Sequence, residues 1–72
     1  MDIKEAFKQR LRELRAEAGE TQAQVCEAIG LRERHYQNFE RGVNFPSFMN
    51  LIALADHFDV SLDYLMCRTD ER

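Results

Sequence analysis

The sequence predicts an all-α fold, a compact arrangement of five short helices, on three observations. Apolar residues recur at spacings of three and four along most of the chain. No stretch shows the strict apolar–polar alternation of a half-buried strand. Ser and Thr start signals and Gly stop signals divide the pattern into short segments. With 72 residues the chain has room for one modest core, so residues 1–72 are expected to form a single domain that works through its surface.

The first helix is expected from Ile3 to Ala18, where Ile3, Phe7, Leu11 and Leu14 share one stripe. Lys4, Lys8, Arg12 and neighbouring acids occupy the other face, a pattern that suits a solvated surface with i,i+4 pairs. Gly19 ends this helix in the left-handed conformation.

Thr21 and Gln24 make a T-x-x-Q capping box, which starts a second helix at Gln22. Val25, Cys26 and Ile29 give it an inward face, and Gly30 closes it as Gly19 closes the first. Leu31 points inward from the turn. Tyr36 and Phe39 continue the apolar stripe on a third helix, leaving Arg32, Glu33, Arg34, His35, Gln37 and Asn38 facing out.

Gly42 to Pro46 reads as a loop, since Pro46 disfavours a helical conformation at Phe45. Ser47 caps a fourth helix with a broad inward face of Phe48, Leu51, Ile52, Leu54, Ala55 and Phe58. After a short connection at Asp59 and Val60, Ser61 caps a last helix. Asp63 there lies near the positive end of the helix dipole, and Leu62 and Leu65 face the core. The polar residues 68–72 are expected to fray.

Residues 21–42 thus lay out two short helices joined by a tight turn at Gly30 and Leu31. That is the arrangement of a helix-turn-helix, whose second helix is offered to the DNA major groove. The outward residues fit such a role: Gln and Asn suit adenine, Arg suits guanine and Glu suits cytosine. The same face would also serve as ordinary solvated surface.

A net charge of −3 runs against phosphate binding, which favours a basic surface. Its distribution softens the objection, because basic and acidic side chains balance over residues 1–42 and the whole acidic excess lies in residues 43–72. Cys26 reads as a small core residue and Cys67 as a free thiol, with neither metal-ligand spacing nor a disulfide framework. His35 and His57 stand alone on different helices, so no metal, cofactor or enzymatic activity is expected. His57 reads as a surface residue near the C-terminal end of the fourth helix, and His35 as a neighbour of the groove or phosphates. No apolar run approaches membrane-spanning length and no signal-peptide pattern is present, so a cytoplasmic location is expected.

Several blocks at fixed spacing carry a resemblance: Phe7-x-x-Arg10-Leu11-Arg12-x-Leu14-Arg15, Gly19-x-Thr21-Gln22, Gly30-Leu31, Glu40-Arg41-Gly42, Pro46-Ser47 and Val60-Ser61-Leu62-Asp63-Tyr64-Leu65. Together they resemble the Cro/C1-type helix-turn-helix family, the phage-repressor-like transcriptional regulators of bacteria, from about Phe7 to Asp70. The resemblance implies a five-helix, lambda-repressor-like DNA-binding domain that binds a palindromic operator, usually as a two-fold homodimer. Position by position it implies that Glu33, Arg34 and Asn38 touch base edges, flanked by Arg32 and Gln37. It implies that Gln22 holds a phosphate and braces the reading helix, that Arg41 and Asn44 meet the sugar-phosphate backbone, and that Arg15 and Glu40 form a buried structural ion pair.

Three positions depart from that pattern. Position 20 is usually apolar in the family, so Glu20 is expected to stay in solvent. Position 32 is usually Ser or Thr, so Arg32 leaves the reading helix without a side-chain cap at a cost of about 1 kcal/mol. Glu33 offsets part of this through the helix dipole, but in the groove it meets phosphate repulsion unless its carboxylate accepts a hydrogen bond from a cytosine amino group. The competing reading is a protein-interaction module that keeps the fold without binding an operator, using Phe45, Met49, Tyr64 and Met66 if they cluster in solvent.

Overall fold

The computed structural model describes residues 2–72, which form five helices: α1 (Ile3–Ala18), α2 (Gln22–Ile29), α3 (Glu33–Glu40), α4 (Phe48–His57) and α5 (Leu62–Leu65). Most helix starts are fixed locally. The side chains of Asp2, Thr21, Ser47 and Ser61 accept hydrogen bonds from the backbone N–H groups of Lys4, Gln24, Asn50 and Tyr64. The capping box closes reciprocally, with the Thr21 N–H donating to Gln24 Oε1 at 2.8 Å. Helix α3 is the exception, because Arg32 stands at its N-cap and a guanidinium has no acceptor to offer. At the other ends, Gly30 leaves α2 at φ 75° and Asp59 turns the chain out of α4 at φ 55°, both in the left-handed region.

All five helices meet on one core. Phe7, Leu11 and Leu14 come from α1, Val25 and Cys26 from α2, Tyr36 and Phe39 from α3, Leu51, Leu54 and Ala55 from α4, and Leu65 from α5, with Val60 between the last two. Each fully buried large side chain stabilises the fold by about 1.5–3 kcal/mol. Helix α2 packs on both α3 and α4, α1 packs on α3, and α4 on α5. The pair α2–α3 is therefore held from two sides.

Two apolar residues expected inside are in solvent. Ile3 is 42% exposed and Phe48 is 64% exposed. Both are in register with their stripes, but each is the first residue of its helix, one turn ahead of the point where neighbouring helices supply packing.

The segment 68–72 is not frayed. Arg10 Nη1 donates to the carbonyls of Tyr64 (2.6 Å) and Thr69 (3.1 Å). Arg72 donates to both Glu17 carboxylate oxygens at 2.6 Å, and its own carbonyl accepts from the Ser61 N–H at 3.0 Å. The carbonyls of this segment gain a charged donor from α1, which makes docking more favourable than hydration alone. No helix among the described residues is long and apolar enough to cross a membrane.

Candidate nucleic-acid interface

Helix α3 buries Tyr36, Phe39 and Glu40 and turns Arg32, Glu33, Arg34 and His35 to solvent. Gln37 and Asn38 are half-buried rather than fully outward. The chain after α3 turns back beside Asn38: Gly42, at φ 76°, lets the N–H groups of Val43 (2.9 Å) and Asn44 (3.3 Å) donate to the Asn38 carbonyl. Arg41 and Asn44 remain exposed on this turn. Arg32, Arg34 and Arg41 make no ion pair among the described residues, so three guanidinium groups project from α3 and its flank free for an anionic partner.

A buried polar cluster fixes α3 against α1 and α2. Arg15 Nε donates to Glu40 Oε2 at 2.7 Å and Arg15 Nη2 to Glu40 Oε1 at 3.0 Å, a bidentate pair. Gln22 Nε2 adds a third bond to Glu40 Oε1 at 3.2 Å, which leaves its second amide proton to donate outward. Burial alone would raise the Glu40 carboxyl, but the bonds from Arg15 and Gln22, with the Tyr36 hydroxyl close by, outweigh it and hold the group below the usual carboxylate range. The hydrogen bond to Glu40 in turn raises the Arg15 guanidinium against the opposing effect of burial. The Tyr36 hydroxyl is fully buried beside this pair without reaching hydrogen-bond geometry. Burial pushes its proton affinity well above the usual phenol range.

The cluster reaches a second pair that sequence reasoning missed. Arg15 Nη1 donates to the Glu20 carbonyl at 3.0 Å, and the Glu20 side chain meets His57 Nε2 at 2.7 Å. Glu20 is therefore not left in solvent, nor is His57 an ordinary surface residue; their side chains are 27% and 18% exposed. A polar pair spans the corner where an apolar contact was expected, tying the turn before α2 to the end of α4. The one available signal was that Glu20 and a solitary histidine both broke local expectation.

The residues of the competing protein-binding reading do not gather into one exposed apolar surface. Phe45 packs against Phe7 with ring centroids 5.0 Å apart, and Met66 lies on the core. The Tyr64 ring is covered by the guanidinium groups of Arg10 at 4.0 Å and Arg72 at 5.2 Å. Met49 alone is open, at 70%.

A cleft of about 240 Å³ is lined by Leu14, Glu17, Ala18, His57, Phe58, Asp59 and Arg72 and includes no residue of α3. The candidate site is accordingly an exposed helix face rather than a cavity. Among the described residues no group of three or more His, Cys, Asp or Glu side chains could hold a metal ion.

A family model described as helix-turn-helix matches residues 11–65. The chain belongs to that family. This helix-turn-helix chain is 38% identical over 67 residues to the cryptic phage CTXphi transcriptional repressor RstR of Vibrio cholerae, covering 90% of this chain and 60% of the relative. It is 35% identical over 57 residues to the transcriptional regulator ImmR of Bacillus subtilis, covering 79% of this chain and 45% of that protein. It thus spans about half the length of the curated relatives it matches. Among solved structures it superposes on the restriction-modification controller protein C.AhdI of Aeromonas hydrophila with a TM-score of 0.78 at 35% identity, covering 88% of this chain and 92% of that one.

Proposed function

We propose that this helix-turn-helix chain is a sequence-specific double-stranded DNA-binding regulator of transcription that acts as a repressor. The observation that carries the reading is the exposed flank of α3: Arg34 on the helix and Arg32 and Arg41 at its two ends are exposed and make no ion pair among the described residues, while the Arg15–Glu40–Gln22 cluster ties the helix to α1 and α2. A helix tied to its neighbours, with free guanidinium groups beside it, suits a major groove, where positioning by phosphate contacts and reading by base contacts act together. Relatives named as transcriptional regulators and a repressor support the same assignment.

In this reading Arg32, Glu33, Arg34, Gln37 and Asn38 choose the sequence, and Gln22, Arg41 and Asn44 set register on the phosphates. Two copies related by a two-fold axis would present their α3 helices about one DNA turn apart, roughly 34 Å, to a palindromic operator. The work is done where the DNA is, which keeps a cytoplasmic location as part of the proposal.

The experiment is selection of bound duplexes from a random-sequence pool near physiological salt, repeated at higher salt. Enrichment of a two-fold symmetric motif, with affinity falling steeply as salt rises, is the expected result. A folded sample that enriches nothing would overturn the reading.

A further inference from the structure

We propose that His35 is a specificity-determining residue of α3, reading a base pair next to the one read by Asn38. This rests on the DNA-binding reading above and adds a residue that the family pattern does not supply.

The argument begins with where α3 is open. Its exposed residues are concentrated at its N-terminal end, since Gln37 and Asn38 are half-buried and the Asn38 carbonyl is taken up by the N–H groups of Val43 and Asn44. In helix-turn-helix docking it is the N-terminal part of the reading helix that contacts base edges. His35 is the third residue of α3 and fully in that open part. Three residues before Asn38, it is that residue's neighbour on the helix surface.

Its ring is also held. His35 packs on Phe39, one turn on, with ring centroids 5.0 Å apart and planes tilted by 57°. Phe39 is itself fixed in the core at 1% exposure. The imidazole thus packs against a core ring while the residue as a whole remains exposed. A side chain with two rotatable bonds and a ring packed on a core residue loses less freedom on binding than a free arginine does. An imidazole N–H directed into the groove can donate to a purine N7 or a thymine O4, both major-groove acceptors that distinguish base pairs. Among the described residues, His35 makes no ion pair and no side-chain hydrogen bond.

The test is parallel selection from a random duplex pool with the wild type, His35→Ala and His35→Phe, each checked for folding by circular dichroism. His35→Phe keeps an aromatic ring on Phe39 while removing both nitrogens, so it separates reading from packing even if the alanine variant is destabilised. Both variants are expected to lose preference at one base pair per half-site, adjacent to the pair relaxed in Asn38→Ala. Affinity for the wild-type motif should fall about tenfold, with binding to unrelated sequence unchanged. A wild type that selects sharply while His35→Phe selects the same motif would overturn this assignment alone, as would an equal loss on every sequence. A wild type that selects nothing would overturn the regulator reading and this assignment with it.

Discussion

Arg15 of α1 holds Glu40 of α3 through two hydrogen bonds, at 2.7 Å and 3.0 Å, with Glu40 almost completely buried and Arg15 still a quarter exposed. The asymmetry decides what each partner can tolerate losing. A buried acceptor with three donors has no water to fall back on, whereas the guanidinium can turn toward solvent.

Replacing Glu40 with Gln is therefore expected to destabilise the fold by about 3 kcal/mol, the lower end for breaking a buried pair because Arg15 keeps access to water. Tyr36→Phe, which removes a buried hydroxyl that lacks a hydrogen bond, should change stability by no more than about 1 kcal/mol. Urea denaturation of both variants checks the contrast. Equal losses would mean that the hydroxyl, not the ion pair, supports the carboxylate.

Because the folded Glu40 carboxyl is held below its unfolded value, the unfolded state takes up that proton first as pH falls. The stabilisation is fully present above the ordinary glutamate range, around pH 4.5, and is lost as the pH drops through the lower folded value. Wild type should lose stability below about pH 4.5 more steeply than Glu40→Gln. Denaturation midpoints measured from pH 7 down to pH 3 would show the two curves converging.

The open N-terminus of α3 predicts a conflict between stability and binding. Arg32→Ser supplies the missing cap and should raise stability by about 0.5–1 kcal/mol, while weakening DNA binding through the loss of a free guanidinium. Thermal melts and binding isotherms on the same samples test it. A variant that gains on both counts would show that Arg32 does not face DNA.

Reader and register residues should separate in binding experiments. Asn38→Ala is expected to relax preference at one base position, by about 1–3 kcal/mol of discrimination. Arg41→Ala should weaken all duplexes alike and lower the salt slope by about one. The reverse pattern would exchange their roles.

Glu20 and His57 should prove coupled. Substituting each with Ala singly and together is expected to give a coupling energy of about 0.5–1 kcal/mol in a double-mutant cycle of stability. Simple additivity would reduce their 2.7 Å contact to coincidence.

The helix layout was legible because its signals are local. Thr21, Gln24, Ser47 and Ser61 act within three residues of themselves, and Gly19 and Gly30 impose left-handed ends without reference to the rest of the fold. The Arg15–Glu40 pair was legible only through resemblance, since no periodicity links residues 25 apart. The Glu20–His57 contact, across 37 residues, had neither aid. Phe48 and Ile3 misled for a related reason: a stripe tells which way a side chain points, not whether another helix is there to meet it. Asn38 and Gln37 are less open than a helical wheel implies, and a wheel also omits the turn whose Val43 and Asn44 N–H groups bond the Asn38 carbonyl.

The docking of residues 68–72 onto α1 bears on how the molecule would yield to force. Arg10 joins the carbonyls of Tyr64 and Thr69, and Arg72 joins Glu17 and Ser61. Tension applied between residue 2 and residue 72 would meet these few polar links before it reached Leu11, Leu54 or Leu65. Under such tension the clasp would open first, as a mechanical fuse, releasing a short length of chain while the core contacts of α2 and α3 still hold.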